Sequence, residues 1–184
     1  MSENGFSLIE LMTVLAMVAV LSLFASLWSR DWVDNKQASS TVASFAAAVH
    51  LARQTAIVKN MPVTFCPRGV DGCGSRDTWH EGAIVFVDFN QNRRIDANDH
   101  LVKSIPSLKS GIRVYWRSFR NRSYLRFTAT GLTDWQNGNF LICKTAAQHA
   151  RQLILNSAGR MYFSRDSDGD GIHEDARGRA VSCG

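Results

Sequence analysis

The chain has 184 residues, of which 45% are hydrophobic and 20% are charged. A chain of this length forms about one globular domain with some additional segment, and its apolar content excludes disordered, collagen-like and low-complexity proteins. The 21 lysine and arginine residues outnumber the 16 aspartate and glutamate residues, so the formal net charge is +5. This charge is compatible with an anionic partner but does not identify one.

The segment from Phe6 to Trp28 is almost entirely apolar, and Glu10 is its only formal charge. As a helix it extends about 34 Å, enough to cross a hydrocarbon core about 30 Å thick. A cleaved secretory signal is the alternative, but its apolar region is only about 7–15 residues long and follows lysine or arginine. Residues 1–5 contain neither, so the segment predicts a transmembrane helix.

An amphipathic stretch continues the helix over residues 29–60. Neither proline nor glycine occurs between Phe6 and Lys59, so the sequence predicts one helix of about 50 residues that breaks at residues 60–62. Its apolar stripe recurs at three- and four-residue steps and comprises Val42, Phe45, Ala46, Val49, Ala52 and Ala56.

From residue 61 onward, short apolar runs alternate with turn-forming residues, a pattern typical of β-strands. Asn156–Gly159 precedes the last run and predicts a hairpin turn. The fold class is therefore α+β, with the long N-terminal α-helix packed on an antiparallel β-sheet domain. The predicted strands are Val63–Cys66, Ala83–Phe89, Leu101–Ile105, Ile112–Trp116, Tyr124–Thr128, Asn139–Cys143, Gln152–Leu155 and Arg160–Ser164.

The four cysteines permit three disulfide pairings. We favour Cys66–Cys73, which closes a turn-rich loop, and Cys143–Cys183, which ties the C-terminal tail to a strand. Zinc binding is the alternative, but the sequence has no Cys-x-x-Cys pair and its five histidines are scattered.

The run from Gly5 to Leu11, GFSLIEL, closely resembles the prepilin signature of type IV pilins and type II secretion pseudopilins. The resemblance implies that a prepilin peptidase cuts between Gly5 and Phe6 and leaves N-methyl-Phe6. Later stretches look like the GspH/FimT subfamily of minor pilins and pseudopilins, with a type IV pilin-like fold. These stretches are residues 51–57, 62–64, 140–143 and 153–160.

The resemblance also implies an organisation. Residues 1–5 are the prepilin leader, 6–28 the transmembrane or filament-core helix, 29–60 its amphipathic continuation, and 61–184 a periplasmic β-domain. The protein would cross the bacterial inner membrane once and later enter a pilus or pseudopilus. Its partners would be other pilins or pseudopilins, the prepilin peptidase and a membrane assembly platform, and it would require no cofactor.

Glu10 is a carboxylate within an apolar segment, which costs about 2.5–3.5 kcal/mol at the bilayer centre. By resemblance, its partner is the α-amino group of the neighbouring subunit's first mature residue, which sets the axial register during assembly. The alternative is that Glu10 lies at the membrane interface, where it reaches water and interacts favourably with the helix dipole.

Two acidic loops have the oxygen-rich spacing that Ca²⁺ prefers. The alternative for each is a solvated acidic loop. The first loop offers Asp166, Asp168, Asp170, Glu174 and Asp175, and the weaker second loop offers Asp88, Asn90, Asn92, Asp96 and Asp99. In the second loop, Arg93 stands where glycine is expected.

Arginines interleaved with aromatic residues predict contacts to phosphates and stacking of bases, so DNA is a possible partner. An aromatic core face alternating with a basic solvent face would give the same pattern. FimT-like minor pilins carry a DNA-capturing Gly-Arg-x-Arg motif, which Gly178–Val181 matches except at its fourth position. The candidate residues are Arg113, Arg117, Arg120, Arg122 and Arg126, together with Arg177 and Arg179.

The sequence contains no recognisable catalytic motif, and His80-Glu81 does not continue as a zinc-protease signature. We therefore expect a non-enzymatic minor pilin or pseudopilin that assembles or primes a type IV pilus or a type II secretion pseudopilus. A DNA-binding minor pilin for natural transformation is the alternative. A membrane-anchored periplasmic enzyme is a third hypothesis, for which no catalytic group can be named.

Overall fold

The structure is a computed structural model that describes residues 7–109, 111–144 and 146–183, with the backbone alone at residues 23–31 and 146–149. The predicted cleavage site between Gly5 and Phe6 lies outside these residues. The chain divides into two compact units, which meet in sequence between Lys36 and Gln37.

Helix α1 runs from Leu8 to Lys59, a length of 52 residues. It ends where the sequence predicts, because Asn60 adopts a left-handed φ of 52°. The Met61 amide then donates to the Ala56 carbonyl oxygen at 3.2 Å, which closes the last turn.

The first unit consists of the N-terminal part of α1. Its large apolar side chains between Leu8 and Leu21 are exposed. Among the described residues, no helix meets the length and hydropathy expected of a membrane-spanning segment. The segment predicted to span the membrane, residues 6–28, includes Phe6 and side chains from residue 23 onward that lie outside this description.

In its described residues, the second unit contains the rest of α1, two 3₁₀ helices and eight strands. The 3₁₀ helices are Arg76–Glu81 and Phe119–Asn121. Each predicted strand has a counterpart. The ends differ by at most two residues, except that the seventh strand begins six residues earlier than predicted, at Ala146. The strands are β1 Val63–Pro67, β2 Ala83–Val87, β3 His100–Ile105, β4 Ile112–Ser118, β5 Leu125–Phe127, β6 Gly138–Lys144, β7 Ala146–Leu155 and β8 Met161–Phe163.

The strands form two four-stranded sheets, and the predicted antiparallel β-sheet domain is confirmed. The first sheet has the order β3-β2-β1-β5 and the second the order β4-β6-β7-β8. All pairings between these strands are antiparallel. The division into two sheets was not predicted, because strand periodicity is a local signal that does not specify pairing partners.

The main core lies between α1 and the two sheets. The predicted stripe of α1, from Val42 to Ala56, is buried there. Aromatic side chains fill the centre of this core. The Phe140 ring stacks on the Trp116 ring, with 4.3 Å between ring centroids, and packs edge to face with Trp79, with 4.9 Å between ring centroids. This arrangement fixes the inward face of each sheet and therefore leaves the opposite faces for the candidate sites.

The two disulfides are Cys66–Cys73 and Cys143–Cys183, the pairs favoured from the sequence. The first lies on the outer face of the first sheet with Ile84, Phe86 and Tyr124. The second fastens the C-terminal tail to β6, beside Leu141 and Val181 on the outer face of the second sheet. Each disulfide thus covers an outer face that α1 does not reach.

Candidate functional site

Glu10 lies in the first turn of α1 and is exposed. Its Oε2 accepts a hydrogen bond of 3.2 Å from the backbone N–H of Ser7, the residue that precedes the helix. This is one half of a capping box, whose Ser-x-x-Glu signature is present at residues 7–10. This role was not predicted from the sequence and does not require a second subunit.

The first acidic loop brings four predicted calcium ligands together: Asp166, Asp168, Asp170 and Glu174 each offer a carboxylate oxygen, and these oxygens lie within 4.8 Å of one another. Backbone amides hold them in place, since Asp166 accepts from the Gly169 amide at 2.7 Å and Glu174 from the Ser167 amide at 2.7 Å. Gly169 has a left-handed φ of 82°, which permits the tight turn. The donor set therefore fits a hard cation such as Ca²⁺.

Asp175 does not join this group. Its Oδ2 accepts hydrogen bonds from the Arg179 guanidinium at 2.8 and 3.1 Å. This interaction, with the backbone amides of Arg177 and Arg179, lowers the pKa of Asp175 below its ordinary value. Asp175, which the sequence spacing predicts to be a metal ligand, is therefore paired with an arginine instead.

His173 lies between the acidic ligands and the sheet. Its Nδ1 lies 2.9 Å from the Ser164 carbonyl oxygen. Partial burial and the nearby positive charge of Arg151 lower the pKa of His173, so its neutral form is favoured. It therefore contributes little charge to the acidic loop at neutral pH.

The second acidic loop has a different centre. Asp88 is fully buried, and its Oδ2 lies 3.0 Å from Nη2 of Arg126 and accepts from the Thr64 hydroxyl at 2.7 Å. The other oxygen, Oδ1, faces the Arg93 amide at 3.3 Å. The guanidinium of Arg126 therefore provides the positive charge that the calcium interpretation assigned to a metal.

The other predicted ligands of this loop bind one another. Asp96 accepts from the side-chain amides of Asn90 at 2.8 Å and Asn92 at 2.7 Å, which lowers its pKa. Asp99 accepts from the backbone amides of Phe89 and Asp96, both at 2.9 Å. Over the described ranges, only the 166–174 loop gathers three or more acidic, histidine or cysteine ligands in metal-binding proximity.

The predicted basic cluster is divided by the fold. Arg113 and Arg117 lie on the exposed face of β4, opposite its buried residues Ile112, Val114 and Trp116. Arg120 and Arg122 are exposed in the following loop. Arg126 is buried in the other sheet, 5.0 Å from the centre of the Tyr124 ring, and is not part of the exposed cluster. Leu125 and Phe127 of β5 face the core, so Arg126 between them points to the outer face of the first sheet, where it contacts Asp88 and Gln91.

The two C-terminal arginines lie near one residue of the basic cluster, Arg117. Arg177 and Arg179 line a groove of about 610 Å³ together with Arg117, across the outer face of β6 and β7. The groove also contains Asn139, Gln152 and Asp175. The proximity of Arg117 to the tail could not be predicted from the sequence, because only the folding of residues 173–183 over the second sheet brings them together.

Comparisons with known proteins agree with the fold and the N-terminal motif. The family model of the type II transport protein GspH matches residues 41–159. A second model, the prokaryotic N-terminal methylation motif, matches residues 1–26. No curated protein sequence matches the chain significantly.

Two solved structures are similar to this one, both crystal structures of the type IV minor pilin FimU from Pseudomonas aeruginosa strain PAO1. The crystal form in space group P21 has a TM-score of 0.54 at 16% identity and covers 73% of this chain and 92% of that chain. The form in space group P65 has a TM-score of 0.51 at 17% identity and covers 69% and 92% respectively. At such low identity the similarity concerns the fold.

Proposed function

Because the chain belongs to the family of the type II transport protein GspH, we propose that it assembles or primes a type IV pilus or a type II secretion pseudopilus. Proteins of this minor pilin and pseudopilin family are structural and non-enzymatic. Those that carry the N-terminal motif are membrane-anchored and assemble into filaments with other pilins. The hypothesis of a periplasmic enzyme is therefore abandoned.

The observation that carries the proposal is the N-terminal methylation motif joined to one uninterrupted helix. In this proposal a prepilin peptidase cleaves after Gly5, residues 6–28 anchor the chain in the inner membrane, and residues 61–184 lie in the periplasm. A membrane platform then moves the subunit into the filament. The exposed apolar side chains from Leu8 to Leu21 support this assignment, since they require either lipid or neighbouring helices as partners.

Mass spectrometry of the full-length protein purified from membranes tests the proposal. We expect an N-terminus at methylated Phe6. Glu10→Gln is the informative variant, because the amide oxygen still accepts the hydrogen bond from Ser7 but carries no charge. We expect this variant to be cleaved normally yet excluded from sheared filaments. An intact Met1 in the wild type contradicts the proposal, and normal incorporation of Glu10→Gln limits Glu10 to capping the helix.

DNA uptake is a second candidate function, favoured by the groove that joins Arg117 to Arg177 and Arg179. A gel shift with duplex DNA and the full-length protein in non-ionic detergent tests it. We expect binding that weakens as salt rises and that falls about tenfold or more in the Arg177→Glu/Arg179→Glu double variant. Lys59→Glu, an exposed charge reversal at the end of α1, is the matched control. Equal binding by the double variant and the control removes this function.

We also propose that the 166–174 loop binds Ca²⁺, because four carboxylates held so close repel one another without a cation. At a calcium concentration about 100 times the dissociation constant, we expect stabilisation of about 2.7 kcal/mol in thermal unfolding, reversed by a chelator. The Asp168→Asn/Asp170→Asn variant should lose this response, and the exposed control Asp71→Asn should keep it. A calcium response unchanged in the double variant would place the ion elsewhere.

A further inference from the structure

The connection between β5 and β6 contains a turn at residues 133–136 that is unusual in its backbone. Asp134 and Trp135, its two central residues, have φ angles of 41° and 60°. Residues other than glycine rarely adopt this left-handed region, and two in succession persist only where their surroundings hold them. Such positions cluster at binding sites, where the strained backbone holds side chains in fixed positions.

Two buried residues hold the turn from both sides. Thr133 donates from its backbone amide and from its hydroxyl to the Ser157 carbonyl oxygen, both at 3.1 Å. Gln136 accepts from the Arg126 amide at 2.7 Å through Oε1 and donates its own amide to the Thr133 carbonyl oxygen at 2.7 Å. Since both side chains are buried, the tip between them is fixed from within the domain.

The fixed tip forms the rim of a cavity of about 330 Å³. Trp135 lines it and is 74% exposed, the largest such value among the aromatic residues that the structure describes. Asp134 lines it as well, and in the described parts of the chain its carboxylate has no hydrogen-bond or ion-pair partner. The remaining wall is uncharged and consists of Thr128, Leu132, Ser157 and Ala158.

The combination of an indole ring and an unpaired carboxylate selects for a positively charged group. A cation within about 6 Å of an indole face is attracted by the ring's quadrupole, and a carboxylate adds a charge-assisted hydrogen bond. An apolar side chain would fill the same cavity at the expense of burying the Asp134 charge without a partner. The neighbouring Arg53 does not occupy the cavity, because its guanidinium donates to the Gly131 and Gly159 carbonyl oxygens at 3.1 Å.

We propose that the Asp134–Trp135 cavity binds the side chain of an arginine or lysine from a neighbouring filament subunit. The source of the cation rests on the proposed function, whereas the cation preference rests on the cavity alone. A neighbouring copy of this chain would offer such cations, since arginine and lysine outnumber acidic residues and Arg113, Arg117, Arg120 and Arg122 are all exposed. A preformed turn of this kind would fix the rotation of one subunit relative to the next.

NMR of the ¹⁵N-labelled full-length protein in non-ionic detergent tests the cation preference of the cavity by following the tryptophan indole N–H signals. Trp135→Phe identifies the signal of Trp135. The probes are tetramethylammonium and N-acetyl-arginine amide, with tert-butanol as the uncharged counterpart of the first. We expect the Trp135 signal to move saturably with both cations and not with tert-butanol, and Asp134→Asn to weaken binding about two- to fivefold.

Asp77→Asn, an exposed aspartate on the first 3₁₀ helix, is the matched control and should bind the cations like the wild type. An unmoved Trp135 signal, or an equal response to tert-butanol, overturns the proposal. A saturable response to cellobiose in place of the cations also overturns it and makes the cavity a saccharide site. Trp135→Phe should still be cleaved at Phe6, which separates this test from that of the proposed function. If the cations bind but the wild type is not processed, the cavity remains a cation site and its filament neighbour is rejected.

Discussion

Asp88→Ala is expected to lower the free energy of unfolding by about 3–5 kcal/mol, because it leaves the Arg126 guanidinium buried without its counter-charge. The ion pair at 3.0 Å is almost completely removed from solvent. The variant also deprives the Thr64 hydroxyl of the acceptor it reaches at 2.7 Å. The remaining hydrogen bonds of Arg126, to the two oxygens of Gln91 and to the Thr64 hydroxyl, are uncharged and replace only part of this stabilisation.

Urea denaturation of the full-length protein in non-ionic detergent measures this effect. The matched control is Asp175→Ala, which removes the same type of aspartate–arginine pair at 2.8 Å on the surface and should cause a much smaller change. A double variant, Asp88→Ala/Arg126→Met, should recover part of the loss because no unpaired charge then remains buried. Equal losses in Asp88→Ala and its surface control would show that burial does not determine the strength of this pair.

The Asp88–Arg126 ion pair could not be predicted from the sequence. The acidic spacing at residues 88–99 predicts calcium ligands, and the alternating aromatic and basic residues around Arg126 predict an exposed basic strand. Neither pattern contains the information that β1 pairs with both β2 and β5, which brings residues 38 positions apart into contact. The acidic loop can therefore be recognised as half of an ion pair, and not as a metal site, only when the pairing of the strands is known.

Local features were predictable for a physical reason. The stripe from Val42 to Ala56 specifies which face of α1 is buried, and turn-forming residues delimit the strands, because both signals act over a few residues. The division into two sheets depends on contacts across the whole domain and was missed. The Asp134–Trp135 turn was missed as well, since its left-handed backbone is imposed by the buried anchors Thr133 and Gln136 rather than by glycine.

Replacing Cys143 and Cys183 with alanine is expected to destabilise the protein more than the equivalent change at Cys66 and Cys73. The Cys143–Cys183 disulfide closes a loop with a sequence separation of 40, and the Cys66–Cys73 disulfide closes one with a separation of 7. A longer closed loop removes more conformational freedom from the unfolded chain. On this chain-entropy argument, the Cys143–Cys183 disulfide stabilises the protein by about 4 kcal/mol and the Cys66–Cys73 disulfide by about 2.4 kcal/mol. Denaturation of both double variants under identical conditions compares these values directly.

The longer bridge should also affect the groove that contains Arg177 and Arg179. It anchors the tail beside Leu141, Ala150 and Val181, which together form a small apolar cluster on the second sheet. Without the bridge, that cluster and the backbone hydrogen bonds between Arg165 and Glu174 must hold the tail, so amide hydrogen exchange should accelerate in residues 173–183 and remain slow in β1. If the tail exchanges slowly in the Cys143→Ala/Cys183→Ala variant, apolar packing and these hydrogen bonds suffice to form the groove, and the disulfide stabilises the domain only through its unfolded state.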